Sequence, residues 1–147
     1  GPFSPERSGG LPSGSLMKLC FSGEYTEEEV GKMINGNGGF NAYVGTNDMR
    51  DLLKMAENND EKAQLVMDAF HYQLEKEIGA MAVVLGGKVD QIILTGGIAY
   101  NAKTQEDMKA AVEWIAPVTI YPGEDELLAL AQGALRVVTG EEEAMVY

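Results

Sequence analysis

A β-branched run, a glycine pair, a helical stretch and a second short β-branched run follow one another between Val89 and Tyr121, and that order restricts the fold more than any other feature. Val89-Asp90-Gln91-Ile92-Ile93-Leu94-Thr95 is too short for a helix and reads as a buried strand. Gly96-Gly97 turns the chain, and a helix is expected from about Asn101 or Lys103 to Trp114. Pro117-Val118-Thr119-Ile120-Tyr121 is a second strand, and a last amphipathic helix runs from about Glu124 to Val138. Strand, helix, strand, helix in that order is a right-handed, parallel βαβα unit, which sets the fold class as α/β. A parallel pair normally lies inside a larger sheet covered on both faces. The chain opens at Gly1 in mid-loop without an initiator Met, so it is expected to be a piece of a longer protein, with the missing strands upstream.

The first half reads as helices joined by glycine-rich loops. Residues 1–16 are dense in Gly, Pro and Ser and form a loop, followed by a short apolar helix over Leu16–Phe21. Thr26 with Glu29 three residues on forms a capping box for a helix from about Glu27 to Ile34. Asn35-Gly36-Asn37-Gly38-Gly39 ends it and reads as linker, because no Gly-Lys-Ser/Thr follows to make a phosphate loop. Phe40-Asn41-Ala42-Tyr43-Val44 alternates weakly and is expected to be extended. Asp48 opens a helix carrying Met49, Leu52, Leu53 and Met55, and Asp60 caps the next. In that next helix Val66, Phe70, Leu74, Ile78, Met81 and Leu85 recur every three or four residues. It turns apolar all round over Ala80–Leu85, so that end is expected to be deeply buried, and Gly86-Gly87 stops it.

Composition removes several functions. With 23 acids against 11 bases the net charge is −12, and no basic cluster exists to hold a nucleic-acid backbone or a membrane surface. The longest strongly apolar stretch, Ala80–Leu85, is far short of the roughly 18 residues a bilayer span needs. Cys20 is the single cysteine, which excludes an internal disulfide and fits a reducing, cytoplasmic setting. His71 is the single histidine and sits within a helical pattern, so neither a structural zinc site nor a histidine-based triad is expected.

Four segments carry groups with chemical potential. The turn from Gly96 and Gly97 through Ile98 to Asn101 follows a strand and opens a helix, where backbone N–H groups can approach an anion or a nucleotide; a plain tight turn is the alternative. Glu124, Asp125 and Glu126 follow the second strand, where one carboxylate could hold a hydrated magnesium or all three could complement the helix dipole. Asp48 and Arg50 are either a cap with a surface ion pair or a ribose acceptor with a base-stacking guanidinium. Arg7, on a glycine-bearing loop, suits bidentate recognition of phosphate or carboxylate, or is simply solvated.

In their order and spacing the phrases GPFSPERSGGLP, GTNDMRD, DQIILTGGIAYN and YPGEDELLALAQGALRV resemble the C-terminal part of the acetate kinase family, over essentially all 147 residues. The resemblance implies a piece of a ribonuclease-H-like, actin-like ATPase domain, with residues 1–147 as the C-terminal part of the second, nucleotide-binding domain and the N-terminal domain absent. It also implies transfer of the γ-phosphoryl of ATP to a short-chain carboxylate with Mg²⁺, ADP being the other product, in a homo-oligomer. Arg7 matches an arginine that contacts the transferred phosphoryl group. Asp48, Arg50, Gly97, Ile98 and Asn101 match adenosine-binding positions, with Gly96, which precedes Gly97, counted alongside them, and the metal role falls on Asp125, with Glu124 or Glu126 as alternatives. Ala99-Tyr100 stands where acetate kinases carry Gly-Glu, which resembles the butyrate branch, while isobutyrate, propionate or acetate as substrate, or a non-catalytic nucleotide-binding module, stay open. Phosphoryl transfer needs groups from both domains, so this chain alone is expected to be inactive.

Overall fold

Phe3, Phe40 and Phe70 meet edge to face, with ring centroids 5.8, 6.0 and 5.1 Å apart for the three pairs. This aromatic triangle, drawn from three separate segments, centres the larger of two cores in the computed structural model, which describes residues 1–123 and 125–145. Met49, Leu52, Ala63, Val66 and Met67 complete it. In chain order the helices are α1 (Ser13–Cys20), α2 (Glu27–Ile34), α3 (Gly39–Val44), α4 (Met49–Glu57) and α5 (Glu61–Val84), and the last three supply the core residues that meet Phe3. Then come β1 (Ile92–Gly96), a 3-10 turn (Gly97–Tyr100), α6 (Ala102–Val112), β2 (Val118–Pro122) and α7 (Glu126–Val138).

Local signals decide most of these boundaries. The Thr26 hydroxyl accepts from Glu29 N at 3.3 Å while the Glu29 carboxylate accepts from Thr26 N at 2.7 Å, so the capping box forms as its spacing predicts. Asp60 caps α5 through Lys62 N and Ala63 N, both at 3.0 Å. Gly86 and Gly87, at φ of 62° and 74°, carry the chain out of that helix.

β1 and β2 are parallel, with Ile92 opposite Val118 and Gly96 opposite Pro122, and among the described residues they are the whole sheet. Ile92 packs with Val112 and Ala116 into a second, smaller core. The strands are less enclosed than a buried parallel pair, since Ile93 is 58% exposed. α6 meets the pair through Val112, which packs against Ile92.

Two further expectations are corrected. Residues 40–44 are helical: Phe40 is fully buried between Phe3 and Phe70, Phe40 N donates to Ser4 O at 3.1 Å, and Gly45 ends the helix at φ 78°. No third strand therefore extends the sheet among the described residues. The end of α5 is open, with Val83 79% and Val84 74% exposed, because packing against the smaller core reaches only to Ile78. Likewise α7 has the apolar stripe its sequence predicts but no buried residue. Among the described residues, no helix is long and apolar enough to cross a membrane.

Candidate functional site

At the carboxyl ends of the two strands the chain must reverse from sheet into helix, and it does so on glycine. Gly96 adopts φ 85°, ψ 179°, a backbone region open essentially to glycine alone. It exchanges two backbone hydrogen bonds of 3.2 Å with Gly123, so the ends of β1 and β2 are tied together. Gly123 is itself at φ 120°, and a Cβ there would stand 2.9 Å from the Tyr100 hydroxyl oxygen.

A cleft of about 610 Å³ opens beside this rim, lined by Gly96, Gly97 and Ile98 from the turn and by Asp48 and Arg50 from the start of α4. Five of the expected nucleotide positions thus come together from segments almost 50 residues apart. Asp48 caps α4 by accepting from Arg50 N at 2.8 Å, and its carboxylate also accepts from Arg50 Nε at 3.0 Å and Arg50 Nη2 at 2.5 Å. The hydrogen bonds from Arg50 hold the Asp48 carboxyl down to about 2, and the same bonds raise the Arg50 guanidinium. Both local readings of this pair, cap and ion pair, are therefore realised, in a position that also faces the cleft.

Asn101 does not line the cleft. Its side-chain oxygen caps α6, accepting from Thr104 N at 2.8 Å, which fixes the turn just behind Tyr100.

Arg7 lies outside the cleft as well, on a loop that the cleft wall touches through Pro5. Its guanidinium is exposed and makes no hydrogen bond or ion pair among the described residues. The loop beneath it is held firmly. Glu6 O accepts from Gly36 N at 2.8 Å and from Gly38 N at 3.1 Å, while Ser8 N donates to Ile34 O at 3.0 Å. A Cβ on Gly38 would come within 2.6 Å of Ser8 N, and one on Gly39, at φ 58°, would fall on the Ser4 carbonyl oxygen. The segment Asn35–Gly39 is thus a cradle for the Arg7 loop, where the sequence reading takes it as linker. Glycine pairs in two separate loops, Gly9-Gly10 and Gly38-Gly39, are the signal of close backbone approach that would have revealed it. Asn47 Nδ2 donates to Glu6 at 3.4 Å, linking this loop to the cleft rim. Thr95, Asn47 and Tyr100 also line the cleft; the sequence assigns none of them a site role, and Tyr100 stands out there only as a departure from the acetate kinase Gly-Glu.

A second cleft of about 580 Å³ shares Thr95 and Gly96 with the first and is lined by Asp125 and Glu126. Glu124 lies outside the described residues. Asp125 stands at the N-cap position of α7 without making a capping hydrogen bond, so its exposed carboxylate is not spent on the helix. No three His, Cys, Asp or Glu side chains converge as a metal cage among the described residues. One or two carboxylates at a rim fit magnesium, which fills its remaining positions with water and phosphate oxygens.

His71 is buried in α5 and takes no part in either cleft, as an ordinary helix residue would not.

The family model of the acetokinase family matches residues 4–145. Over all 147 residues the chain is 58% identical to a probable butyrate kinase of Clostridium botulinum and to butyrate kinase 2 of Clostridium acetobutylicum, spanning 41% of the length of each. Among solved structures, acetate kinase of Porphyromonas gingivalis superposes with a TM-score of 0.82 at 23% identity, covering 94% of this chain and 41% of that one. A propionate kinase of Francisella tularensis gives 0.75 at 20%, covering 87% of this chain and 39% of that one. The α/β fold is that of a piece of these kinases, and with a family match across nearly its whole length the chain belongs to the acetokinase family.

Proposed function

We propose that the chain is the nucleotide-binding part of a butyrate kinase, the C-terminal part of its second domain, and that the other domain is supplied by the remainder of a longer protein. The observation that carries this reading is the meeting of Asp48, Arg50, Gly96, Gly97 and Ile98 in one cleft at the carboxyl edge of a parallel sheet, where α/β folds bind ligands. The 58% identity to proteins named butyrate kinase supports butyrate over a shorter acid.

In this reading the glycine rim lets the nucleotide lie close against backbone, Asp48 accepts from the ribose, and Arg50, held flat by Asp48, packs on the base. The phosphates extend past Gly96 toward Asp125, which with Glu126 would hold the magnesium. When bound, the ion supplies charge neutralisation on the phosphate oxygens. A carboxylate oxygen of butyrate attacks the γ-phosphorus in line, the bond to the bridging oxygen of ADP breaks, and butyryl phosphate forms. Arg7, whose exposed guanidinium has no side-chain partner among the described residues, stabilises the charge on the transferred group through its fork of donors. The chain provides no covalent nucleophile. A cytoplasmic homo-oligomer acting on free carboxylate and nucleotide, with no nucleic acid or membrane partner, completes the proposal.

The test is an assay of the full-length protein with ATP, Mg²⁺ and butyrate, trapping acyl phosphate as hydroxamate. Butyryl hydroxamate from the full-length protein, and none from the 147-residue chain alone, is the expected result. Nucleotide binding by the full-length protein without turnover on any short-chain acid would instead make it a non-catalytic module.

A further inference from the structure

Resting on the nucleotide reading above, we infer that Tyr100 is the platform on which the nucleobase stacks, seated there by Gly123. Tyr100 is 68% exposed, yet it stands on a fixed support. Ala99 beneath it is buried, Gln105 Nε2 donates to Ala99 O at 2.7 Å, and Asn101 N closes the 3-10 turn on Ile98 O at 3.2 Å. A large aromatic ring held open to solvent on a rigid turn keeps a free π-face at little entropic cost on binding.

That ring lines the same cleft as Arg50. The phenol reaches across the tied strand ends, and a Cβ on Gly123 would meet its hydroxyl oxygen at 2.9 Å. A side chain at Gly123 would therefore displace the ring, in addition to being strained at φ 120°. Tyr100 and the guanidinium that Asp48 holds in place are two planar groups in one cleft. A planar heteroaromatic ring matches both, whereas a carboxylate or a bare phosphate chain has no π-face to offer. Tyr100 thus selects for the base, and its seat beside the Asp125 cleft separates base from phosphates.

The experiment compares the full-length protein with its Tyr100→Ala and Tyr100→Phe variants, titrating each with Mg²⁺-ADP and with Mg²⁺-tripolyphosphate, which lacks a base. Tyr100→Ala is expected to weaken ADP roughly tenfold while leaving tripolyphosphate unchanged, and Tyr100→Phe to stay within about twofold, since stacking needs the ring and not the hydroxyl. Unchanged ADP affinity in Tyr100→Ala overturns the inference, and so does an equal loss for both ligands, which would mark a structural role. If the unmodified full-length protein binds no ADP, the nucleotide reading falls and this inference with it; binding that survives Tyr100→Ala removes this inference alone.

Discussion

The Asp48 carboxylate grips Arg50 three ways at once: it receives the Arg50 backbone N–H at 2.8 Å, Nε at 3.0 Å and Nη2 at 2.5 Å. One residue therefore starts α4 and aims the cation that shares its cleft. With its carboxyl held down to about 2 by Arg50, Asp48 contributes stability that is present above its ordinary value of 3.8 and is lost as pH falls toward the lowered one. Asp48→Asn keeps the cap but frees the guanidinium. We expect ADP affinity to fall by about fivefold near neutral pH as a charge-assisted pair is lost. Melting temperature should decline less than in the unmodified chain as pH drops from about 4 to about 2, because the variant has no carboxyl to protonate there. Titration and thermal melts check the two halves separately.

Gly39 and Gly38 test how the Arg7 loop is held. A methyl on Gly39 falls on the Ser4 carbonyl oxygen at a φ that side chains avoid, so Gly39→Ala should destabilise the chain by about 2 kcal/mol or more. In the full-length enzyme proposed above, Arg7→Ala should lower kcat by about a hundredfold or more with little effect on ADP binding, as expected of a group that acts on the transferring phosphoryl. Arg7→Lys should restore only a small part of it, because a point charge does not reproduce the guanidinium fork. Chemical denaturation and the hydroxamate assay are the measurements.

Acid sensitivity should trace to His71. Burial pushes its imidazole below the ordinary 6.5; Asp107, Glu75 and Asp68 pull the other way, and Lys103 adds to the lowering. Its Nε2 is buried without a hydrogen-bond partner among the described residues, so the charged form is poorly accommodated between α5 and α6. The unfolded chain takes up the proton first, so stability should drop as pH falls below about 6.5 and be insensitive to this group above it. His71→Gln should remove that part of the acid-side fall in melting temperature, leaving the value near pH 8 little changed.

Local rules made much of this molecule legible. The Thr26–Glu29 box, the stripe from Val66 to Ile78, the stop at Gly86-Gly87 and the pairing of Ile92–Gly96 with Val118–Pro122 depend on neighbours in sequence or on β-branched runs. Residues 40–44 misled because what makes them helical is non-local: Phe40 is buried against rings 37 and 30 residues away, at Phe3 and Phe70. Periodicity also says that α7 and the end of α5 have apolar faces but not what covers them. At the site, Asp48, Arg50 and the glycine turn were each ambiguous alone, and their meeting in one cleft is what favours the proposed binding role over a plain cap or turn. Tyr100 offered no sequence signal beyond its departure from the Gly-Glu of acetate kinases, since an aromatic in a turn gives no hint of which surface it will face.

Backbone amide spectra of the isotopically labelled chain, recorded as Mg²⁺-ADP is added, test most directly whether the glycine-lined cleft holds the nucleotide. The expected result is saturable shifts confined to residues 47–50 and 95–101, extending to Asp125 and Glu126 when the phosphates and Mg²⁺ are present. Shifts that leave Gly96, Gly97 and Arg50 unmoved, or that cluster on α1 and α2 instead, would contradict it.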